Sequence, residues 1–226
     1  MITRELLGTA QVPGGEELKL FAHGRDFMIV LGHNELMSTR MRGSEERLAT
    51  LTLDRLKGRS DPHLLVGGYG MGFTLRAALA GIGPKGRVTV AELVPEIIEW
   101  ARGPMAEVAA GCLDDPRVRL EMGDVADAML LSSEPFDAIL LDVDNGPDGL
   151  VRADNNRIYS KSGLHNARKA LVPGGILAVW SAFPDPKFRR RLEDVGFAVE
   201  EVEVRARYDA QGKGKGPRHV IWFAQT

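Results

Sequence analysis

His63-Leu64-Leu65-Val66-Gly67-Gly68-Tyr69-Gly70-Met71-Gly72-Phe73 is the stretch on which the fold turns. A short apolar run ends in closely spaced glycines, and a helical stretch over 72–80 follows. Glycines at a strand-to-helix turn allow positive φ and let the backbone approach a ligand that a Cβ would block. The spacing is GxGxG, because Phe73 stands where the dinucleotide pattern GxGxxG needs its third glycine. A tight turn with no ligand uses the same residues, so the turn has to be weighed with its surroundings.

Working downstream, strands are expected at 87–92, 118–121, 136–142 and 176–181, with helices at 95–110, 125–131 and 160–170 between them. Runs such as Ala138-Ile139-Leu140-Leu141 and Leu177-Ala178-Val179-Trp180 are almost wholly apolar, as strands covered on both faces are. Strand–helix alternation of this kind implies a parallel sheet with right-handed crossovers. The end of the chain departs from it. After a helix near 186–195, two strands at 198–205 and 219–224 flank a glycine-rich loop at 211–217 that cannot be helical. Strands joined without a helix pair antiparallel. The expected fold is therefore α/β: doubly wound, with a mostly parallel seven-stranded sheet ending in an antiparallel hairpin.

Upstream, the Pro13-Gly14-Gly15 turn precedes two apolar runs at 18–22 and 27–31, separated by Gly24-Arg25-Asp26, which predicts a β-hairpin. Ser44 is a candidate N-cap, with Glu45 and Glu46 at the positive end of a helix carrying Leu48, Leu51 and Leu56. The division expected is a β-rich segment at 1–43 and a Rossmann-like domain at 44–226.

Composition excludes several functions. A net charge of −2 over 226 residues provides no long-range field for nucleic acid. Cys112 is the single cysteine, so neither an internal disulfide nor a thiolate metal cluster can form. The five histidines show no ligand spacing, and no metal is expected. Arg4 and Glu5 interrupt any early apolar stretch, and no segment approaches membrane-spanning length, so a cytoplasmic protein is expected.

The candidate site residues lie at successive strand ends. Glu92, followed by Leu93, ends the second strand of the alternating region. A carboxylate there can accept hydrogen bonds from both ribose hydroxyls of an adenosine compound. Gly123-Asp124 closes the third strand, where an acid can accept from an adenine amino group and Val125 can cover the ring; Asp124 is equally suited to cap the next helix. Asp142 ends the fourth strand in Asp142-Val143-Asp144-Asn145-Gly146-Pro147, either as a general base or as a solvated turn acid. Ligands bind at this carboxyl edge of open α/β sheets. Gly68, Tyr69, Gly70, Gly72, Glu92, Leu93, Gly123, Asp124, Val125 and Asp142 are thus the expected nucleoside-binding set. Tyr159 lines an acceptor pocket or packs in the core, and Lys213 and Lys215 are weak anion candidates.

The terminal hairpin resembles the class I S-adenosylmethionine-dependent transferases. The glycine loop, Glu92, Gly123-Asp124, Asp142 with its Gly-Pro loop, and Leu171-Val172-Pro173-Gly174-Gly175 together resemble the spermidine synthase family. That resemblance implies S-adenosylmethionine or its decarboxylated form as cofactor, a small-molecule acceptor, and alkyl transfer with Asp142 as base; a homodimer is one assembly open to such a chain. Departures accompany it. Met71 replaces the family's Asp that holds the donor amine, and Asn145 replaces a catalytic-loop acid. Arg40 and Arg42 fall near a site that would otherwise take a polycation. Methyl transfer is accordingly favoured over aminopropyl transfer. A catalytically silent nucleoside-binding or dimerisation module is one alternative. An NAD-dependent oxidoreductase is another, disfavoured by Phe73 and the hairpin.

Overall fold

The computed structural model describes residues 4–143 and 156–226. Strands β1 (Glu5–Gln11), β2 (Glu17–His23), β3 (Asp26–Leu31) and β4 (Asn34–Ser38) form an antiparallel sheet in chain order. The expected hairpin is its middle pair. Its outer strands carry little sequence signal: Gly8 interrupts β1, and β4 has only five residues. Gly8 sits at a register shift in β1, where an added Cβ would lie 2.6 Å from Trp100 Nε1. Its bare backbone is what lets this sheet close against the larger unit.

Helix α1 (Gly43–Arg55) follows. Ser44 is not its N-cap. Arg42 holds that position without a side-chain bond, and Ser44, fully buried in the first turn, meets His219 Nδ1 at 2.9 Å.

The second sheet has seven strands: β5 (His63–Gly67), β6 (Arg87–Glu92), β7 (Val118–Met122), β8 (Phe136–Leu141), β9 (Leu171–Ser181), β10 (Ala198–Tyr208) and β11 (Gly214–Gln225). Their spatial order is β10-β11-β9-β8-β5-β6-β7, parallel except for β11, which is antiparallel to both neighbours. The expected sheet and hairpin are both present. The hairpin is longer than expected, because residues 214–217 of the glycine-rich loop continue β11. β9 likewise begins five residues early and runs through Pro173-Gly174-Gly175.

Alternation along the strands divides the core. Leu64, Val66, Ala138 and Leu140 pack with α1, with α2 (Phe73–Gly81), with α3 (Pro95–Arg102) and with Leu18, Leu20 and Ile29 of the first sheet. Leu65, Ile139 and Leu141 face α5 (Val125–Leu131), α7 (Lys161–Ala170) and α8 (Pro186–Asp194) on the other side. A period of two thus sends alternate residues into two apolar layers. The expected helix at 95–110 is broken into α3 and a short α4 (Ala106–Ala109). Gly103 and Pro104 intervene, and proline has no amide to continue the ladder. Another short helix, α6 (Asn156–Tyr159), precedes α7.

Register brings the strand ends level. Gly67 is opposite both Ala91 and Leu141, and Glu92 is opposite Met122. The first backbone amides beyond the strands continue the ladder, Gly68 donating to Ala91 O at 2.9 Å and Gly123 to Glu92 O at 2.8 Å. β5 lies between β8 and β6, so the chain order reverses there, and the crevice opens at that switch point.

Candidate functional site

Two cavities meet at the carboxyl edge of the sheet. The first, about 150 Å³, lies between the strand ends and the N-terminal sheet. Gly68, Gly70, Glu92, Leu93, Gly123, Asp124, Val125 and Asp142 all line it, and Leu18, Ile29 and Met37 of the N-terminal sheet cover it. Eight residues of the expected set are therefore brought together.

Tyr69 and Gly72 are not among them. The Tyr69 ring is buried, with its hydroxyl 3.5 Å from Cys112 Sγ, and only its backbone amide faces the site. Gly72 is the left-handed N-cap of α2, and a Cβ there would strike the Tyr69 ring. Both shape the turn instead of lining the cavity. Gly68 and Gly70 have φ of +80° and +56°. A Cβ on Gly70 would lie 2.7 Å from Met37 Cε, and one on Gly68 would lie 3.1 Å from the Asp142 carbonyl oxygen.

Glu92 is held from both sides. Oε2 accepts from the Tyr69 amide and Oε1 from the Val94 amide, each at 2.8 Å. Each oxygen keeps a second lone pair, which suits a vicinal diol. Burial raises the Glu92 carboxyl above its ordinary range, and the amide bonds partly counter that effect. Asp124 lines the cavity, and its Oδ1 accepts from the Ala126 amide at 2.8 Å to cap α5. Val125 packs against Gly67, where a Cβ would meet its Cγ2 at 2.9 Å.

The second cavity, about 300 Å³, lies on the other side of Asp142 and Val143. Both cavities share those two residues together with Leu36 and Met37. Burial raises the Asp142 carboxyl to about 7, which suits a base working near neutrality. The rest of the second cavity includes Ser44, Glu45, Trp180 and His219, with the exposed Phe183 at its mouth. None of these four is expected at the site from sequence. Glu45 does carry a signal, because it is in helical phase with Leu48, Ala49 and Thr52, the buried face of α1. Its carboxyl is held well above the ordinary range by burial and then by Asp142.

The other described candidates line neither cavity. Tyr159 is 1% exposed and packs edge-on to Phe188, so it is a core residue. Arg40 and Arg42 line neither cavity; each is paired, with Asp26 at 2.6 Å and with Glu46 at 3.1 Å. Neither guanidinium therefore faces the site as an unpaired charge. Met71, 1% exposed, also lines neither cavity. Lys213 and Lys215 lie in the terminal hairpin, where Lys215 pairs with Asp209. Asp144, Asn145, Gly146, Pro147 and Asp148 lie outside the described residues. Among the described residues no group of three His, Cys, Asp or Glu could hold a metal ion, and no helix is long and apolar enough to cross a membrane.

The fold is that of a spermidine synthase-like, class I S-adenosylmethionine-dependent transferase. The spermidine synthase of Thermotoga maritima superposes with a TM-score of 0.76 over 97% of this chain and 72% of its own, at 18% identity. An O-methyltransferase of Bacillus cereus, in complex with SAH, superposes with a TM-score of 0.53 at 20% identity, over 81% of this chain and 80% of its own. In sequence, the polyamine aminopropyltransferase of Mycobacterium tuberculosis is 36% identical over 124 residues, which are 54% of this chain and 23% of that protein. That of Korarchaeum cryptofilum is 33% identical over 118 residues, 52% of this chain and 34% of its own length. Polyamine aminopropyltransferase 1 of Streptomyces coelicolor is 30% identical over 155 residues, 64% and 28% of the two lengths. The aligned stretches therefore cover only a minor part of each relative. No protein-family model matches the chain.

Proposed function

We propose that this chain is an alkyltransferase that holds the adenosyl part of an S-adenosylmethionine-type donor in the first cavity and an amine acceptor in the second. The observation that carries this reading is the junction: two cavities meet at Asp142, with a buried, amide-held glutamate on one side. The residues fit such a donor. Gly68 and Gly70 line the first cavity where a Cβ would crowd it, and Glu92 presents two oxygens toward a ribose. The donor supplies a carbon activated by a sulfonium leaving group. Asp142 accepts the proton that the acceptor nitrogen loses as its lone pair attacks that carbon and the carbon–sulfur bond breaks.

The names of the relatives favour aminopropyl transfer from the decarboxylated donor over the methyl transfer expected from sequence. The methyl expectation rests on Met71, which lies in the core and touches neither cavity. Titration calorimetry with methylthioadenosine, S-adenosylhomocysteine and NAD tests the donor side. A sulfur nucleoside at 100 times its dissociation constant should stabilise the fold by about 2.7 kcal/mol. Binding of NAD alone would refute the assignment. Mass spectrometry of putrescine incubated with each donor then separates aminopropyl from methyl transfer.

A further inference from the structure

We propose that Glu45 is the specificity-determining residue of the second cavity, holding the cationic nitrogen of the acceptor beside Asp142. This rests on the reading of that cavity as the acceptor site, and it adds a residue from an element remote from the strand-end loops.

Glu45 stands on the inner face of α1 and is 7% exposed. Its Oε2 is buried and has no hydrogen-bond partner. Burial and Asp142 favour its neutral form while the cavity is empty, and a cationic ligand that satisfies Oε2 would favour the carboxylate. Among the described residues lining the second cavity there is no lysine or arginine. The one basic side chain there is His219, whose Nδ1 is engaged by Ser44 Oγ and whose ring stands edge-on to Trp180, 4.8 Å between centroids. Burial lowers its tendency to carry a proton. Nothing among the described residues of the cavity thus supplies a full positive charge to Glu45 and Asp142, and a cationic ligand would.

An ammonium group has three N–H donors, enough for Asp142 and Glu45 together. When one proton passes to Asp142, Glu45 still holds a remaining N–H and keeps the lone pair aimed across the junction. Leu36, Met37, Met41, Trp180 and Phe183 supply an apolar wall for the carbon chain of the acceptor. Asn145 is expected from sequence to leave the acceptor side one acid short; Glu45 provides one from α1.

The test uses the full chain and putrescine as probe, titrated calorimetrically with methylthioadenosine at saturation. Glu45→Gln should weaken putrescine binding tenfold or more while the methylthioadenosine affinity stays within twofold. Glu46→Gln, which removes the neighbouring acid paired with Arg42, should change neither. Should the Gln variant fold poorly, Glu45→Met, which replaces an unpartnered buried acid with an apolar chain of similar length, provides the same readout. Unchanged putrescine affinity in a folded Glu45 variant overturns the proposal, as does a wild type that binds methylthioadenosine but no putrescine. If the wild type binds no methylthioadenosine, the donor reading falls instead; Glu45-dependent binding of putrescine alone would still support Glu45 as the ammonium-holding residue.

Discussion

The two cavities on either side of Asp142 are built on opposite terms. In the first, Glu92 has backbone donors on both oxygens, and Asp124 is tied to its own helix. In the second, Glu45 Oε2 and Trp180 Nε1 are buried with no partner. A site whose polar groups are already satisfied is rigid before its ligand arrives, and the ligand adds bonds to it. A site with unpartnered groups is costly when empty, and binding offsets that cost. The first arrangement suits a nucleoside common to many reactions, and the second suits an acceptor that has to be selected.

The strongest way to break this contrast is to force an acid into the first side. Met71→Asp restores the residue type of the spermidine synthase glycine loop, so sequence reasoning alone expects it to improve donor binding. Met71 is 1% exposed within the apolar core, where a new carboxyl has no partner and the methionine packing is lost. The expected outcome is destabilisation by about 4 kcal/mol in urea unfolding, with no gain in methylthioadenosine affinity. A stable variant with tighter donor binding would show that the loop can turn its side chain into the cavity.

A smaller effect is expected from Glu92→Ala. Loss of hydrogen bonds to a charged group should weaken methylthioadenosine binding by about 1.5–3 kcal/mol. The sequence alone suggests a mutant whose fold is untouched. The structure adds a cost, because the Tyr69 and Val94 amides would each lose an acceptor in a buried place. Stability should therefore fall by roughly 2 kcal/mol, and Glu92→Gln, which keeps one carbonyl oxygen, should lose less of both. Normal stability with lost affinity would mean that the amides find other partners and that the side chain serves the ligand alone.

What can be read in the sequence follows the same division. Gly68, Glu92, Gly123 and Asp142 each sit at a strand end, and a parallel register levels strand ends wherever the strands occur. Their convergence is therefore legible from local pattern. Ser44, Glu45, Trp180 and His219 come from α1, β9 and β11, and only the antiparallel return of β11 beside β9 brings them together. Local pattern assigns Ser44 and Glu45 to helix capping instead, because a serine before two acids is a helix-start signal. The helix begins two residues earlier, at Gly43 with Arg42 as N-cap, and the competing signal, the phase of Glu45 with Leu48 and Thr52, is the one the structure obeys. β1 and β4 are illegible for a simpler reason: a glycine at a bulge and a five-residue strand leave little periodicity to detect.

The gentlest test of the contrast is the pH dependence of stability. Asp142 has a folded value of about 7 against an ordinary 3.8, and Glu45 is raised as well. Between those limits the folded chain retains protons that the unfolded chain has released. The Asp142 contribution then decreases as pH rises from about 4 to about 7 and levels off above, and Glu45 acts in the same direction, the reverse of a salt-bridged carboxylate. His63 and His219, both lowered by burial, bias stability the other way below their ordinary value, so the informative quantity is wild type minus variant. Asp142→Asn should reduce the loss between pH 5 and pH 8 by roughly 2 kcal/mol, less than the full separation of the folded and unfolded values implies, because Asp142 borders the cavities. Removing either acid also relieves repulsion on the other, so Glu45→Gln combined with Asp142→Asn should recover less than the sum of the two single changes. Strict additivity would mean that the two carboxyls do not sense each other, and the second cavity would then lack the paired acids on which its selectivity depends.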